Sequence, residues 1–303
     1  MELLKMNRII EHVIWQFFYI FENLGLHVLP ITYYSPIPDT RQLRNHLELL
    51  TQEHPMLGVD LREEAQLGFL DLLKDYEDEY LHAGGEIFGI IQGKMPSFAP
   101  INALALYTFF IRHYKPKRVI EVGAGMSTKI TSAAMMKNWE EGRFGEFIVI
   151  EPYPTNELRK GYKGVNRLIV KKVEEMDTTI FNDLGENDVL FIDSSHTVKP
   201  LGDVNHLFLR VIPELRQGVM VHVHDIFFPV EYLPHHFINK GLKQFWQEQY
   251  LLHAFLMFNR EFEIIISMSY MHFKYQDRLK ELFPWYSPER WPSSFWMRRK
   301  LLN

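Results

Sequence analysis

The feature that most constrains the fold is the run RVIEVGAG at residues 118–125, where a short β-branched segment passes directly into glycines. An apolar helical segment ending at Lys115-Pro116-Lys117 comes before it, and a helical segment from Thr128 to Asn138 follows. A strand, a glycine turn and a helix in this order are typical of the first unit of an α/β sheet. We therefore expect a ligand to lie at the turn, beyond the carboxyl end of the strand.

From residue 128 onward, predicted helices and strands alternate. Further strands are predicted at residues 147–150, 167–170, 188–192, 219–223 and 262–268. The helices between them are predicted at residues 128–138, 155–160, 175–183, 204–215 and 242–258. Such alternation implies right-handed crossovers and a largely parallel sheet with helices on both faces. The expected fold class is α/β, Rossmann-like and doubly wound, with a mostly parallel sheet.

The segment before this pattern has few strand signals, so we predict an N-terminal helical extension. Residues 1 to 28 predict a helix, the three prolines of residues 29–43 exclude one, and residues 40–81 predict two or three short helices. The expected division is a mainly helical extension or lid at 1–97, a Rossmann-like domain at 98–275, and a C-terminal tail at 276–303 that packs on the domain.

The composition of the chain limits the classes of ligand and partner that it is expected to bind. A net charge of −5 and a pI near 6.3 lack the excess of Lys and Arg that nucleic-acid binding needs. The chain has no cysteine, which excludes a thiolate metal site and a cysteine nucleophile. The apolar N-terminal run is interrupted by Glu11, His12, Gln16, Glu22 and Asn23, so we expect a cytoplasmic protein with no transmembrane segment. This helix favours docking or a homodimer, with membrane-surface binding as the alternative.

The glycine turn itself favours one kind of ligand. Gly123 and Gly125 allow the backbone to pass close to a ligand, and Ser127 and Thr128 can cap the next helix. Dinucleotide enzymes and methyltransferases share this pattern, but Thr128 replaces the third glycine of the dinucleotide fingerprint. The carboxylate of Glu121 suits the ammonium end of a methionine-derived cofactor better than phosphate oxygens, which it would repel.

Several motifs occur in order along the chain: YYSPIPD, KRVIEVGAGMST, VIEPYP, DVLFIDSSH, GVMVHVHDIFFP and WQEQYLLHAFLMFN. On these motifs the chain resembles the class I S-adenosylmethionine-dependent methyltransferases, and more narrowly methyltransferase family 24. The resemblance implies that the segment from Val119 to Thr128 holds S-adenosyl-L-methionine and that Val173 and Glu174 lie by the adenine. Glu151, at the end of the second strand, can accept hydrogen bonds from ribose hydroxyls, as acids also do in NAD enzymes. The expected cofactor contacts are Glu121, Gly123, Ala124, Gly125, Ser127, Thr128, Glu151, Val173 and Asp193.

Acids and histidines follow two later strands. Asp193 ends the strand DVLFID and Asp225 ends VMVHVHD, so both carboxylates reach the same edge of a parallel sheet. His196 follows one turn after Asp193, while His222 and His224 share one face of their strand. The reaction centre is therefore expected here, with Asp193, His196 and His224 as the catalytic residues.

Two chemistries fit this set. In one, Asp193, His224 and Asp225 hold Mg²⁺ or another divalent cation that binds a substrate hydroxyl and lowers its pKa. Metal-dependent O-methyltransferases, which the chain resembles, place acids at the ends of the corresponding strands, but His224 stands where they have an acid. In the other, no metal takes part and His196 or His224 is the general base.

The expected function is methyl transfer to a hydroxyl of a small acceptor, such as a sugar or glycan intermediate. The alternatives are a nucleotide-dependent oxidoreductase and a non-catalytic module that retains the cofactor pocket. An aromatic, proline-rich loop at residues 227–236 is expected to wall the substrate pocket. Glu248 and Gln249, in the last motif, face either this site or solvent.

Overall fold

A computed structural model describes residues 8–82, 98–238 and 244–301. The chain divides into two compact units: Met1–Thr51 with Leu233–Phe245, and Gln52–Tyr232 with Trp246–Asn303. The predicted boundary after residue 97 differs from this division. Residues 52–82 belong to the larger unit because the helix Glu63–Asp75 packs on a strand of its sheet.

The described residues form seven strands: β1 Arg118–Val122, β2 Glu146–Ile150, β3 Arg167–Ile169, β4 Val189–Ile192, β5 Met220–Val223, β6 Phe262–Ser267 and β7 Phe295–Arg299. The helices are α1 Arg8–Asn23, α2 Thr40–Arg44, α3 Glu63–Asp75, α4 Glu77–His82, α5 Pro100–Leu104, α6 Met126–Glu140, α7 Asn156–Arg159, α8 Asp203–His206, α9 Pro234–Ile238, α10 Glu248–Leu256, α11 Met268–Lys274 and α12 Gln276–Leu282. Helix α5 continues as a π-helix at Ala105–His113, and α8 continues through Leu207–Val211 to Ile212–Glu214. No described helix has the length and apolar character that a membrane span requires.

The strands lie in the order β3-β2-β1-β4-β5-β7-β6. Strands β1 to β5 are parallel, and β7 pairs antiparallel with both β5 and β6. This confirms the Rossmann-like, doubly wound and mostly parallel sheet. Because the order reverses between β1 and β4, the carboxyl ends of these two strands form the crevice where such sheets bind ligands.

Three predicted elements are wrong or incomplete. Residues 276–303 are not only a tail, because β7 lies inside the sheet between β5 and β6. The predicted helix at 175–183 is instead two 3₁₀ segments, Val173–Glu175 and Thr178–Asp183, since Asp177 accepts a hydrogen bond from the Thr179 N–H and starts the second one. The predicted helix at 242–258 begins at Glu248, and residues 242–243 lie outside the described part of the chain.

Apolar side chains cover both faces of the sheet. One face carries Phe191 and Trp296, and the ring of Phe110 from the π-helix stacks on Trp296 with centroids 3.5 Å apart. The other face carries Leu190 and Val221 among its buried residues. Burial on both faces fixes the strand ends, so that the polar residues that follow β1, β2, β4 and β5 meet at one edge.

Candidate active site

A cavity of about 340 Å³ lies at the carboxyl ends of β1, β2 and β4. Gly123, Glu151, Val173 and Asp193 line it, together with Glu174 of the predicted adenine contact. A neighbouring cavity of about 300 Å³ shares Glu151 and is lined by three more of the predicted cofactor residues, Ala124, Gly125 and Thr128. The predicted cofactor residues Glu121 and Ser127 are buried next to this turn.

The two glycines of the turn differ in whether the surrounding packing requires a glycine. Gly123 has a φ of +87°, and a Cβ there would lie 1.8 Å from the backbone oxygen of Asp193. The absence of a side chain at Gly123 thus leaves room for the backbone of Asp193 after β4. The sequence suggests only that it leaves room for a ligand. A Cβ on Gly125 would have no atom within 4 Å, so protein packing does not require a glycine at that position.

Glu121 is a buried carboxyl group with one oxygen unpaired. It is 1% exposed, and the hydroxyl of Ser127 donates a hydrogen bond to its Oε1 at 2.5 Å. Its Oε2 has no hydrogen-bond partner among the described residues. Burial raises the pKa of Glu121 to about 8, against the hydrogen bonds from Ser127 and Thr128. A cationic ligand beside Oε2 would complete its hydrogen bonding and favour the charged form.

Glu151 is fixed by two backbone N–H groups, one in the glycine turn and one in the loop after β2. Its carboxylate accepts hydrogen bonds from the N–H of Ala124 at 3.0 Å and the N–H of Tyr153 at 2.7 Å. The hydroxyl of Thr128 accepts from the N–H of Gly125 at 3.0 Å and so tightens the start of α6. A carboxylate has lone pairs beyond these two bonds, so Glu151 can still accept from a ligand hydroxyl in the cavity.

Two acids and a histidine meet beside this cavity. Among the described residues, Asp193, His196 and Asp225 bring potential ligand atoms within 4.8 Å of one another. The Nε2 of His196 lies 3.3 Å from Oδ1 of Asp193 and 3.6 Å from Oδ2 of Asp225. The Nε2 of His224 lies 3.7 Å from Oδ1 of Asp225, outside that group of three. The catalytic role predicted for His224 and its place as a metal ligand stay predictions.

Each of the two loops that carry this cluster contains a residue whose backbone conformation is rare for residues other than glycine. His196 has a φ of +55° and Asp225 has a φ of +54°. Left-handed backbone at residues other than glycine costs free energy and clusters at functional sites. The packing around the two loops therefore maintains a geometry that the local sequence alone would not choose.

The charges around His196 are mostly negative. Burial alone would lower the pKa of His196, but the carboxylates of Asp193, Glu248 and Asp225 raise it well above its ordinary value. Asp193 shows the complementary effect: burial acts to raise its pKa, while His224 and His196 lower it overall. The cluster thus attracts positive charge.

His222 lies in the core rather than in the cluster. It is fully buried between the rings of Phe191 and Trp296, at centroid distances of 3.9 Å and 4.6 Å. Its Nε2 is 3.2 Å from Nδ1 of His224, and its own Nδ1 has no hydrogen-bond partner in the part of the chain that the structure describes. Burial lowers the pKa of His222 well below its ordinary value, so this imidazole is neutral at physiological pH.

Two contributors to the site, Trp246 and Asp203, are not apparent from the sequence pattern. The indole of Trp246 lies against the ring of His196 at a centroid distance of 4.6 Å. Asp203 accepts hydrogen bonds from the N–H and the hydroxyl of Ser195, both at 2.7 Å, and so fixes the loop after β4. Glu248 and Gln249 are 0% and 2% exposed, which excludes the solvent-facing alternative. The aromatic loop is also buried at Phe227 and Tyr232.

A family profile and a curated relative match parts of the chain. A family profile described as "Methyltransferase domain" matches residues 120–226. An uncharacterized protein of Archaeoglobus fulgidus is 33% identical over 167 residues, which cover 52% of this chain and 74% of that protein.

Two solved structures are similar to the chain at low identity. The citrinin polyketide synthase CMeT domain has 13% identity and a TM-score of 0.40, with 94% of this chain and 78% of that chain covered. A putative methyltransferase from Thermobifida fusca has 11% identity and a TM-score of 0.38, with 78% and 94% covered.

Proposed function

The chain belongs to the class I S-adenosylmethionine-dependent methyltransferases, and we propose that it transfers the methyl group to a hydroxyl of a small acceptor. The methyl donor occupies the cavity at the ends of β1, β2 and β4. Its ammonium group pairs with Glu121, whose Oε2 lacks a partner, and its ribose hydroxyls donate to Glu151. The acceptor enters on the side of Asp225 and Trp246.

The observation that best supports this proposal is that Asp193 belongs to both the cavity and the acidic cluster. This residue lines the cofactor cavity and is also one of the three members of the acidic cluster. An acceptor hydroxyl held by the cluster therefore lies beside the cofactor. Methyl transfer depends mainly on such alignment, because the sulfonium is already activated.

The cluster also fits a divalent cation. Two carboxylates and an imidazole form a donor set that suits Mg²⁺, Mn²⁺ or a similar ion. The Nδ1 of His196 is hydrogen bonded to Glu248, which leaves Nε2 facing the two aspartates, and Ser293 donates to Oδ1 of Asp225 at 2.9 Å. A cation bound by Asp193, His196 and Asp225 would lower the pKa of the acceptor hydroxyl. His196 takes the place in this set that the sequence assigns to His224.

The chain's own groups account for the remaining steps. The acceptor oxygen attacks the methyl carbon, the bond from that carbon to sulfur breaks, and S-adenosylhomocysteine leaves as the neutral thioether. The hydroxyl proton passes to a carboxylate of the cluster and from there to solvent. Trp246 and the buried loop at Phe227 and Tyr232 restrict water near the reacting atoms.

The test of this function is the position of the transferred methyl group. Incubation with S-adenosylmethionine that carries a ¹³C methyl group and a panel of small hydroxylated compounds, sugars first, should give a singly methylated product. Carbon NMR should show the label on oxygen. A label on nitrogen or carbon would contradict the proposed acceptor chemistry.

The partner proposed for the smaller unit is a second copy of this chain. Apolar residues recur along α1 and in the sequence on either side of it with alternating spacings of three and four: Leu3, Met6, Ile10, Val13, Phe17, Ile20 and Leu24. Val13, Phe17, Ile20 and Leu24 are all exposed. Apolar residues at this spacing form the contact seam of a coiled coil, and the charged residues Glu11 and Glu22 fall outside the seam.

A homodimer through this seam should be lost in one variant and kept in another. Phe17→Asp places a charge on the seam and is expected to convert the dimer to a monomer in light scattering. Tyr19→Asp, which is equally exposed but off the seam, should leave the dimer intact. A monomeric wild-type protein, or equal loss in both variants, would contradict this interface.

A further inference from the structure

The start of helix α10 joins the two loops that carry the acidic cluster. Three consecutive polar residues do this: Gln247, Glu248 and Gln249. The N–H groups of Gln247 and Glu248 both donate to the backbone oxygen of His196, at 2.9 Å and 3.2 Å. Gln249 accepts from the N–H of Phe227 at 3.1 Å and donates to the oxygen of Val230 at 3.2 Å. The loops after β4 and β5 are therefore held by one turn of helix.

Within this turn Glu248 contacts the ring of His196, a member of the acidic cluster. Its Oε2 lies 2.7 Å from Nδ1 of His196, and both side chains are buried. The hydroxyl of Ser194 donates to its other oxygen at 3.4 Å. A carboxylate beside Nδ1 keeps a proton on that nitrogen, so Nε2, which faces Asp193 and Asp225, is the nitrogen that would give up its proton to bind a cation.

The backbone of His196 gives an independent sign that its orientation is imposed. Its φ of +55° is unfavourable for a residue with a Cβ, and such conformations persist only where surrounding contacts determine them. The two N–H donors of α10 hold the His196 carbonyl, and the Glu248 carboxylate holds its ring. The same helical turn thus fixes both the backbone and the side chain of His196.

We propose that Glu248 is a positioning residue that holds His196 in the tautomer and orientation in which its Nε2 completes the cation site with Asp193 and Asp225. This inference rests on the cation proposed above. It adds a buried carboxylate that touches neither substrate nor cofactor and acts only through His196. Outer partners of this kind orient metal-binding histidines and raise their affinity for the ion.

Glu248→Gln keeps the size of the side chain and its ability to accept a hydrogen bond, but removes the charge. We expect it to lower the affinity for Mn²⁺ by about 10- to 100-fold, measured by calorimetry or by the spin resonance of free Mn²⁺. Nitrogen NMR of the histidine rings should show changed chemical shifts for Nδ1 and Nε2 of His196. Glu77→Gln, a buried carboxylate that accepts from Trp285 on another part of the larger unit, should change neither property.

A double-substitution cycle tests whether Glu248 acts through His196. His196→Ala should weaken Mn²⁺ binding, and adding Glu248→Gln to it should cause less than about a twofold further loss. If Glu248→Gln causes the same loss with and without His196, the residue acts by another route and the proposal fails. Should Glu248→Gln not fold, Glu248→Asp, which withdraws the carboxylate by one methylene, is expected to give a smaller loss in the same cycle.

The two proposals fail in different ways. A folded wild-type protein that binds no Mn²⁺ and keeps full turnover in chelator contradicts the cation of the proposed function. Wild-type binding of Mn²⁺ with unchanged affinity and histidine spectra in Glu248→Gln contradicts only the role assigned to Glu248.

Discussion

Asp225→Asn is expected to lower methyl transfer by about 10³-fold while S-adenosylhomocysteine binds with nearly unchanged affinity. Asp225 contributes to the acidic cluster, but it is not among the residues that line the cofactor cavity. Loss of its charge removes a cation ligand and an acceptor for the hydroxyl proton, and leaves the contacts of Glu121 and Glu151 in place. Single-turnover rates with saturating cofactor, together with calorimetric titration of the product, separate the two effects.

Asp277→Asn is the matched control, because Asp277 is fully exposed and forms a long surface ion pair with Lys280. It should leave both turnover and binding unchanged. A protein that serves only as a cofactor-binding module would keep its function in Asp225→Asn. Turnover within a few fold of the wild type in this variant would therefore contradict the assignment of the reaction to the cluster.

Glu121→Gln is expected to make the unliganded protein more stable and to weaken cofactor binding. Burial raises the pKa of Glu121 to about 8 from an ordinary value of 4.5. Between these values the folded state holds a proton that the unfolded state releases, so stability falls as pH rises from about 4.5 toward 8. Glutamine removes this dependence and should raise the free energy of unfolding at pH 7 by about 1–3 kcal/mol.

Cofactor binding should respond in the opposite direction. The ammonium group of S-adenosylhomocysteine needs the carboxylate of Glu121, so wild-type affinity should rise as pH increases from 6.5 to about 8. In Glu121→Gln the affinity should be lower by roughly 10- to 100-fold at pH 8 and should lack this rise. Denaturant unfolding and calorimetry over that pH range measure both effects.

Glu151→Gln separates the two consequences. Glu151 is partly exposed and accepts two backbone hydrogen bonds, so its replacement should weaken cofactor binding without stabilising the fold. If Glu121→Gln proves less stable than the wild type at pH 7 and binds cofactor equally well, the carboxyl group serves packing and not the cofactor.

Local patterns were sufficient to predict the five parallel strands of the sheet. Strands β1 to β5 have β-branched or apolar cores, and Asp193 and Asp225 stand directly at strand ends, where sequence position fixes which edge they reach. Strand β7 was missed because its pairing is non-local. It joins Met220 to Arg298 across 78 residues, and it lies antiparallel in a chain whose other crossovers predict parallel strands.

The arrangement of side chains within the site was harder to predict, because it depends on contacts between distant segments. The sequence predicts His224 as a ligand but does not indicate the packing of its ring, which stacks on Phe98 with centroids 4.8 Å apart. The sequence places His196 one turn after Asp193, but its orientation in the cluster depends on a backbone with positive φ and on the buried Glu248, 52 residues later. No periodicity in either segment indicates that contact.

The most direct measurement is a crystal structure of the wild-type protein with S-adenosylhomocysteine bound. We expect the amino group of the ligand beside Oε2 of Glu121, the ribose hydroxyls on Glu151, and the sulfur next to Asp193. A ligand bound elsewhere, or one whose sulfur lies away from Asp193 and Asp225, would contradict this expectation.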